Sequence, residues 1–141
     1  DGDGHVDLRG SATDAIGSVA SFLSMHGWQP GSPVALPAGV DGDTRELVAA
    51  GIKPWLPLRE MRTKGVQPQA VSDVSLDEAP VALIDLVTPD QPTEYWLGFD
   101  NFYVITRYNR SSFYAMSVFL LAESLREARA TSTSAVQRLT P

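Results

Sequence analysis

Cysteine is absent from the 141 residues. That excludes disulfide scaffolds, thiolate zinc sites and cysteine nucleophiles, and it fits a cytoplasmic or an exported protein equally. Positive charge is scarce: 11 lysines and arginines stand against 17 acidic residues, a formal net charge of −6. With no basic run either, nucleic acid is excluded as a natural partner. No apolar run approaches the roughly 18 residues of a membrane span, and no signal peptide or lipidation motif occurs. Internal repeats and low-complexity linkers are missing too. The remaining sequence is that of one globular domain, with 43% hydrophobic residues to build a core.

The chain opens with DGDGHVDL, three aspartates and two glycines within its first seven residues. A calcium loop needs oxygen ligands on alternating residues and a glycine at its sharp turn. With Asp1 as first ligand, Val6 would occupy the turn and Ala12 the closing position, so that register fails. With Asp1 at the third ligand position and Asp3 at the fifth, Gly4 falls at the turn, the His5 carbonyl follows, and Asp7 takes the ninth place. The closing position would then be Gly10, and the next carboxylate is Asp14. This register reads as a lengthened calcium loop closed by Asp14, its first ligand expected before residue 1. The alternative is a polar Asp/Gly turn with Asp14 as a helix N-cap.

Periodicity gives the elements. TDAIGSVASFLSMHGW spaces Ile16, Val19, Ala20 and Leu23 as a helix, with Thr13 or Asp14 to cap it and Gly27 to stop it. Pro33 to Pro37 reads as a short strand. TRELVAAGI and PLREMRTKGV read as short helices ended by Gly51 and Gly65. APVALIDLV is a continuous apolar run and predicts a buried strand. TEYWLGFDNFYVITRYN predicts a β-hairpin turning at Gly98 to Asn101, with Phe102, Val104 and Thr106 on one face. SSFYAMSVFLLAESLREARA predicts an amphipathic helix capped near Ser111, its stripe formed by Phe113, Met116, Phe119, Leu120 and Leu125. The tail from Thr131 has weak periodicity and is expected to fray. This order of elements is α+β.

No HExxH, GxSxG or phosphate-loop string occurs. Glu123, three residues before Arg126, reads as half of a solvated ion pair, not a catalytic acid. His26 reads as a helix C-terminal residue interacting with the dipole. The aromatic stretch is the better lead, because sugars lie on aromatic faces flanked by amide and guanidinium donors. TRYN supplies Arg107, Tyr108 and Asn109 at an element end, where ligand groups are commonly presented. Trp96 and Phe102 read as core; Tyr108, Asn109 and Tyr114 read equally well as ligand contacts or as packing.

Taken together, DGDGHVDL, DAIGSVASFLSMHGW and NFYVITRYNRSSFYAMSV resemble the C-terminal part of the MltB-type lytic murein transglycosylases, glycoside hydrolase family 103. The motifs stand in family order at both ends of the chain, with the middle, residues 30–90, weaker. The resemblance implies part of a lysozyme-like α-helical core carrying an EF-hand-like calcium loop and an inserted small β-sheet domain. Residues 1–29 would be the loop and the following core helix, 30–100 the inserted domain, and 101–141 the cleft motif and terminal core helix. It implies a periplasmic or outer-membrane-associated lyase that cleaves the MurNAc-β-1,4-GlcNAc bond of peptidoglycan glycan strands and leaves 1,6-anhydromuramoyl ends. The family's glutamate lies in a Gly-Val-Glu-Thr type motif before the calcium loop, and this sequence has no such motif. The general acid is therefore expected upstream, with the N-terminal part of the same protein as a separate partner chain, and the fragment alone is expected to be inactive. Tyr108 and Asn109 align with cleft residues, and Tyr114 would stand beside the saccharide. Asp1, Asp3, the His5 carbonyl and Asp14 match the calcium ligands. One departure is Phe22, where a relative has a cleft-facing tyrosine. Two other readings remain, a non-catalytic calcium-dependent peptidoglycan-binding module and a purely structural α+β domain.

Overall fold

The computed structural model describes residues 7–69 and 74–137, with backbone alone for 74 and 133–137. Helix α1 spans Ala12–Met25. Its cap is Ser11, not the predicted Thr13 or Asp14: Ser11 is extended, and its Oγ accepts the Asp14 amide at 3.2 Å. Asp14 therefore stands inside the first turn, where a carboxylate favours the exposed amides. The helix ends as expected at Gly27, whose φ of +93° permits the turn. The Trp28 amide reaches back to the Leu23 carbonyl and the Gly27 amide to that of Ser24.

Strand β1 (Ala35–Val40) starts later than predicted and continues through Pro37. Proline is tolerated because the sheet neighbour on that side ends there; the Pro37 carbonyl still accepts the Gln69 amide at 2.8 Å. The short helices α2 (Arg45–Ala49) and α3 (Leu58–Thr63) follow as read, each closed by a left-handed glycine, Gly51 and Gly65. Two strands escaped the sequence reading, β2 (Leu56–Pro57) and β3 (Val66–Pro68). A 3-10 turn at Val74–Leu76 leads to β4 (Pro80–Leu86), the predicted buried strand, and then to β5 (Glu94–Gly98). All pairings are antiparallel, in the order β2-β4-β5-β1-β3.

The predicted hairpin is a correction. Its first half is β5, but Asp100–Thr106 is helix α4. The buried residues Phe102, Ile105 and Thr106 recur at three and four residues, the helical spacing. Tertiary packing overrides the β-propensity of this aromatic and β-branched stretch. Gly98 makes the fold-back possible: a Cβ there would lie 3.1 Å from both Ile84 and Phe102.

Two cores flank the sheet. Val81, Leu83, Leu97 and Phe99 pack with Leu47, Leu58 and Met61 of α2 and α3. Ala82, Ile84 and Leu86 face the other way, against Phe102 and Ile105 of α4 and Ala115 and Met116 of α5. Helix α5 (Ser112–Gln137) is capped near Ser111 as predicted and continues through the tail expected to fray, with residues 138–141 outside the described set. Its predicted stripe is only partly used. Met116 is buried and Phe119 packs on the core, while Phe113, Leu120 and Leu125 remain 50%, 45% and 62% exposed.

Two left-handed glycines separate backbone strain from crowding. Gly42 (φ +105°) has open space at its Cβ position, whereas a Cβ on Gly65 (φ +83°) would fall 2.1 Å from the Asp41 carbonyl oxygen. Gly42→Ala is expected to cost about 1–2 kcal/mol. Gly65→Ala is expected to cost about 3 kcal/mol or more, since it also displaces the Asp41–Gly65 backbone pairing. Urea midpoints at unchanged slope measure both; equal losses would contradict the crowding argument.

Candidate functional site

A cleft of about 820 Å³ opens between α1, the α1–β1 loop and α5. Val19, Phe22 and Leu23 of α1 form one wall, and Tyr114, Val118 and Phe119 of α5 form the other. Tyr108 lines it as well. It stands in the turn after α4, where its amide donates to the Ile105 carbonyl at 3.1 Å. Ser111 starts α5 by accepting the Tyr114 amide, which returns Tyr114 beside Tyr108 after the short loop carrying Asn109. RYN is thus a helix-to-helix connection, not the predicted strand-to-helix one.

The aromatic rings are organised. Tyr108 and Tyr114 stack at 6.1 Å with planes 22° apart, and Phe22 meets Tyr108 edge-on at 5.5 Å. Behind them His26 stacks on Phe22 at 4.0 Å, its Nδ1 donating to the Phe22 carbonyl at 2.8 Å. His26 is the helix C-cap, as read. Tyr108 is nevertheless 66% exposed and Asn109 is exposed beside it, so both offer polar atoms to solvent. Arg107 instead lies over the Tyr103 ring, 5.7 Å from its centre. Glu123 also lines the cleft, paired to Arg126 at 2.6 Å as the spacing predicted.

Sequence reasoning grouped Tyr108, Asn109 and Tyr114 and, through the family resemblance, marked Phe22 as a cleft position, but it missed Trp28. Trp28 lines the cleft directly after the helix-ending glycine, a position that was the available signal. For Phe22 the resemblance was the signal, but its contact with Tyr108 joins residues far apart in the chain and had no local one.

Of the predicted calcium ligands, Asp1, Asp3 and His5 lie outside the described residues. Asp14 is described: its Oδ2 accepts the Asp7 amide at 3.0 Å, tying the loop to the first turn of α1. Asp7 is turned inward, accepting the amides of Gly10 at 2.8 Å and Arg9 at 3.0 Å. Among the described residues no three His, Cys, Asp or Glu side chains converge as a metal site. Carboxylate and carbonyl oxygens are nonetheless the donor type that calcium takes, so the chemistry of Asp14 fits that ion.

The chain matches the family model described as Transglycosylase SLT domain over residues 1–123. It is 38% identical over 128 residues to membrane-bound lytic murein transglycosylase B of Escherichia coli (strain K12), covering 91% of this chain and 33% of the relative. Three solved structures are similar. Soluble lytic transglycosylase SltB1 from Pseudomonas aeruginosa has a TM-score of 0.74 at 41% identity, covering 92% of this chain and 41% of that one. SltB3 from Pseudomonas aeruginosa, in complex with NAG-anhNAM-pentapeptide, gives 0.72 at 32%, covering 89% and 33%. The Escherichia coli lytic transglycosylase Slt35, in complex with calcium, gives 0.69 at 34%, covering 92% and 39%. The α+β arrangement is therefore that of the lysozyme-like lytic transglycosylases, and the chain spans about a third of its curated relative. Among the described residues no helix is long and apolar enough to cross a membrane.

Amide donors hold the Asp7 and Asp14 carboxyls below the ordinary 3.8, chiefly that of Gly10 for Asp7 and that of Asp7 for Asp14. A depressed acid stabilises the fold above its unfolded value, and that contribution is lost as pH falls through the folded value. The start of α1 is expected to hold from neutral pH to about 4 and to loosen below that. Carboxyl carbon NMR titration reads this directly: both midpoints fall below 3.8, and a midpoint above it would contradict the capping assignment.

Proposed function

From the premise that the chain belongs to the transglycosylase SLT domain family, we propose that it is the C-terminal portion of a peptidoglycan lytic transglycosylase. The bond cleaved is MurNAc-β-1,4-GlcNAc, and the product end is 1,6-anhydromuramoyl. The general acid is a glutamate upstream of residue 1: it protonates the departing glycosidic oxygen, then accepts the proton of the C6 hydroxyl as that oxygen bonds to C1. No water is consumed, so one carboxyl serves both steps. Glu123 is not that group, being held by Arg126 on the terminal helix.

This chain's own part is to bind and orient the glycan. The observation that carries the reading is the stacked pair Tyr108–Tyr114 at the cleft mouth, with Tyr108 largely open to solvent. Such rings offer faces to the C–H surface of a sugar, and the Asn109 amide offers both a donor and an acceptor to its hydroxyl and acetamido groups. Phe22 supports the wall by its ring edge without adding a hydroxyl. Residues 1–29 and 101–141 belong to the core helices in this reading, and residues 30–100 to the inserted sheet domain. Asp1, Asp3, the His5 carbonyl and Asp14 hold a structural calcium ion, as the calcium complex of Slt35 supports. The parent acts in the periplasm or at the outer membrane, with peptidoglycan strands and its own N-terminal part as partners.

Purified murein sacculi test the reading. The chain alone is expected to release no anhydromuropeptides, and a version extended upstream through its own coding sequence is expected to release them. Turnover by the chain alone overturns the assignment of the glutamate. Binding without turnover by either form points instead to a non-catalytic, calcium-dependent wall-binding module. Tyr108→Ala and Tyr114→Ala are each expected to weaken binding to sacculi about tenfold, the loss of roughly 1.4 kcal/mol of ring contact.

Calcium has its own readout. Millimolar calcium is expected to raise the thermal midpoint of the chain, chelator to reverse the rise, and Asp14→Ala to abolish it. An unchanged midpoint in calcium would remove the ion from the proposal.

A further inference from the structure

Asn101 is a polar side chain inside an apolar core, 1% exposed, and its side-chain hydrogen bonds all leave its own helix. Oδ1 accepts the Gln29 amide at 2.8 Å, while Nδ2 donates to the Gln29 carbonyl at 2.8 Å and to the Ser32 carbonyl at 3.0 Å. Both amide protons and one oxygen lone pair are thus committed to a single loop. The side chain pairs with Gln29 much as a neighbouring strand would. That loop joins α1 to β1, and its Gly31, Ser32 and Pro33 line the cleft.

Helix α1 gives this clamp its importance. No residue of α1 is buried, so core packing does not fix its direction. Its last turn is instead tied to the loop through the Gly27 and Trp28 amides. Helix α4 then holds α1 in two places. Asn101, at its start, grips the loop at Gln29; Tyr108, just past its end, meets Phe22. Phe102 and Ile105 root α4 itself in the core beneath the sheet.

We propose that Asn101 is the positioning residue that fixes α1 against the Tyr108–Tyr114 wall and so sets the width of the cleft. The geometric part stands on the contacts above; its meaning for glycan binding rests on the function proposed in the preceding subsection. Asn101→Asp keeps the shape and the acceptor for the Gln29 amide, but turns an oxygen toward two carbonyls. Asn101→Ala removes the clamp altogether.

Because the chain lacks cysteine, spin labels at S21C on α1 and R110C after Tyr108 report their separation without background. Both sites are exposed. The native chain is expected to give one narrow distance distribution, and either folded Asn101 variant a broader, longer one. Affinity for NAG-anhNAM-pentapeptide, measured well below the variant's melting temperature, is expected to fall about tenfold. An unchanged Ser21–Arg110 distribution in a folded variant overturns the proposal, because a merely local structural role would leave that remote distance alone. If neither variant folds, the native distribution decides: broad overturns the clamp, narrow together with slow Gln29 amide exchange supports it. If the native chain fails to bind the glycopeptide while the label distance still responds to Asn101, the glycan reading falls and the positioning role stands.

Discussion

The structure depends on one strand that has no solvent face. In β4, Val81, Ala82, Leu83, Ile84 and Leu86 are all at or below 6% exposure, although they alternate between opposite sides of the sheet. A strand in that state must be covered twice, because each large side chain returned to water would lose about 1.5–3 kcal/mol. Helices α2 and α3 cover one side, α4 and α5 the other. The second cover matters for the site. The roots of α4 and α5 are fixed by Ile84 and Leu86, so the loop between them, with Tyr108 and Asn109, is held at both ends by the same core.

Legibility in the sequence follows the range of the signal. Helices α1, α2 and α3 announce themselves through local spacing and terminal glycines, and β4 through its unbroken apolar run. Strands β2 and β3 are two and three residues long, too short to carry a period; they exist because longer neighbours offer open edges. Helix α4 was misread for a different reason. Phe102, Tyr103, Val104 and Ile105 favour a strand locally, yet Gly98 admits Phe102 beneath the sheet, and burial of Phe102 and Ile105 decides the outcome. The stripe of α5 was right in type and wrong in extent, because periodicity identifies an apolar face without saying how far the body beneath it reaches.

The candidate site divides in the same way. Tyr108, Asn109 and Tyr114 stand within one short segment, so their grouping could be read from sequence. Phe22, Trp28 and Asn101 join them only through folding, and the Asn101–Gln29 bonds link positions 72 residues apart. Asn101 was assigned to a turn because asparagine after Gly98, Phe99 and Asp100 has that local preference. Its burial turns the same hydrogen-bonding capacity to a tertiary purpose. An unpaired buried amide is costly, so the three bonds it makes are a requirement of its location.

The cleft itself is uneven in chemistry. Its mouth carries Tyr108 and Tyr114, rings with hydroxyls suited to a glycan. Its walls carry Val19, Leu23, Val34 and Val118, which give a sugar no partners for its hydroxyls. Apolar exposure continues outward along Ile16 of α1 and Leu121 and Leu125 of α5, at 71%, 61% and 62%. The sheet lends the cleft no lining beyond the start of β1; it anchors α4 and α5 through Ile84 and Leu86, while Asn101 at the start of α4 ties down the loop that leaves α1.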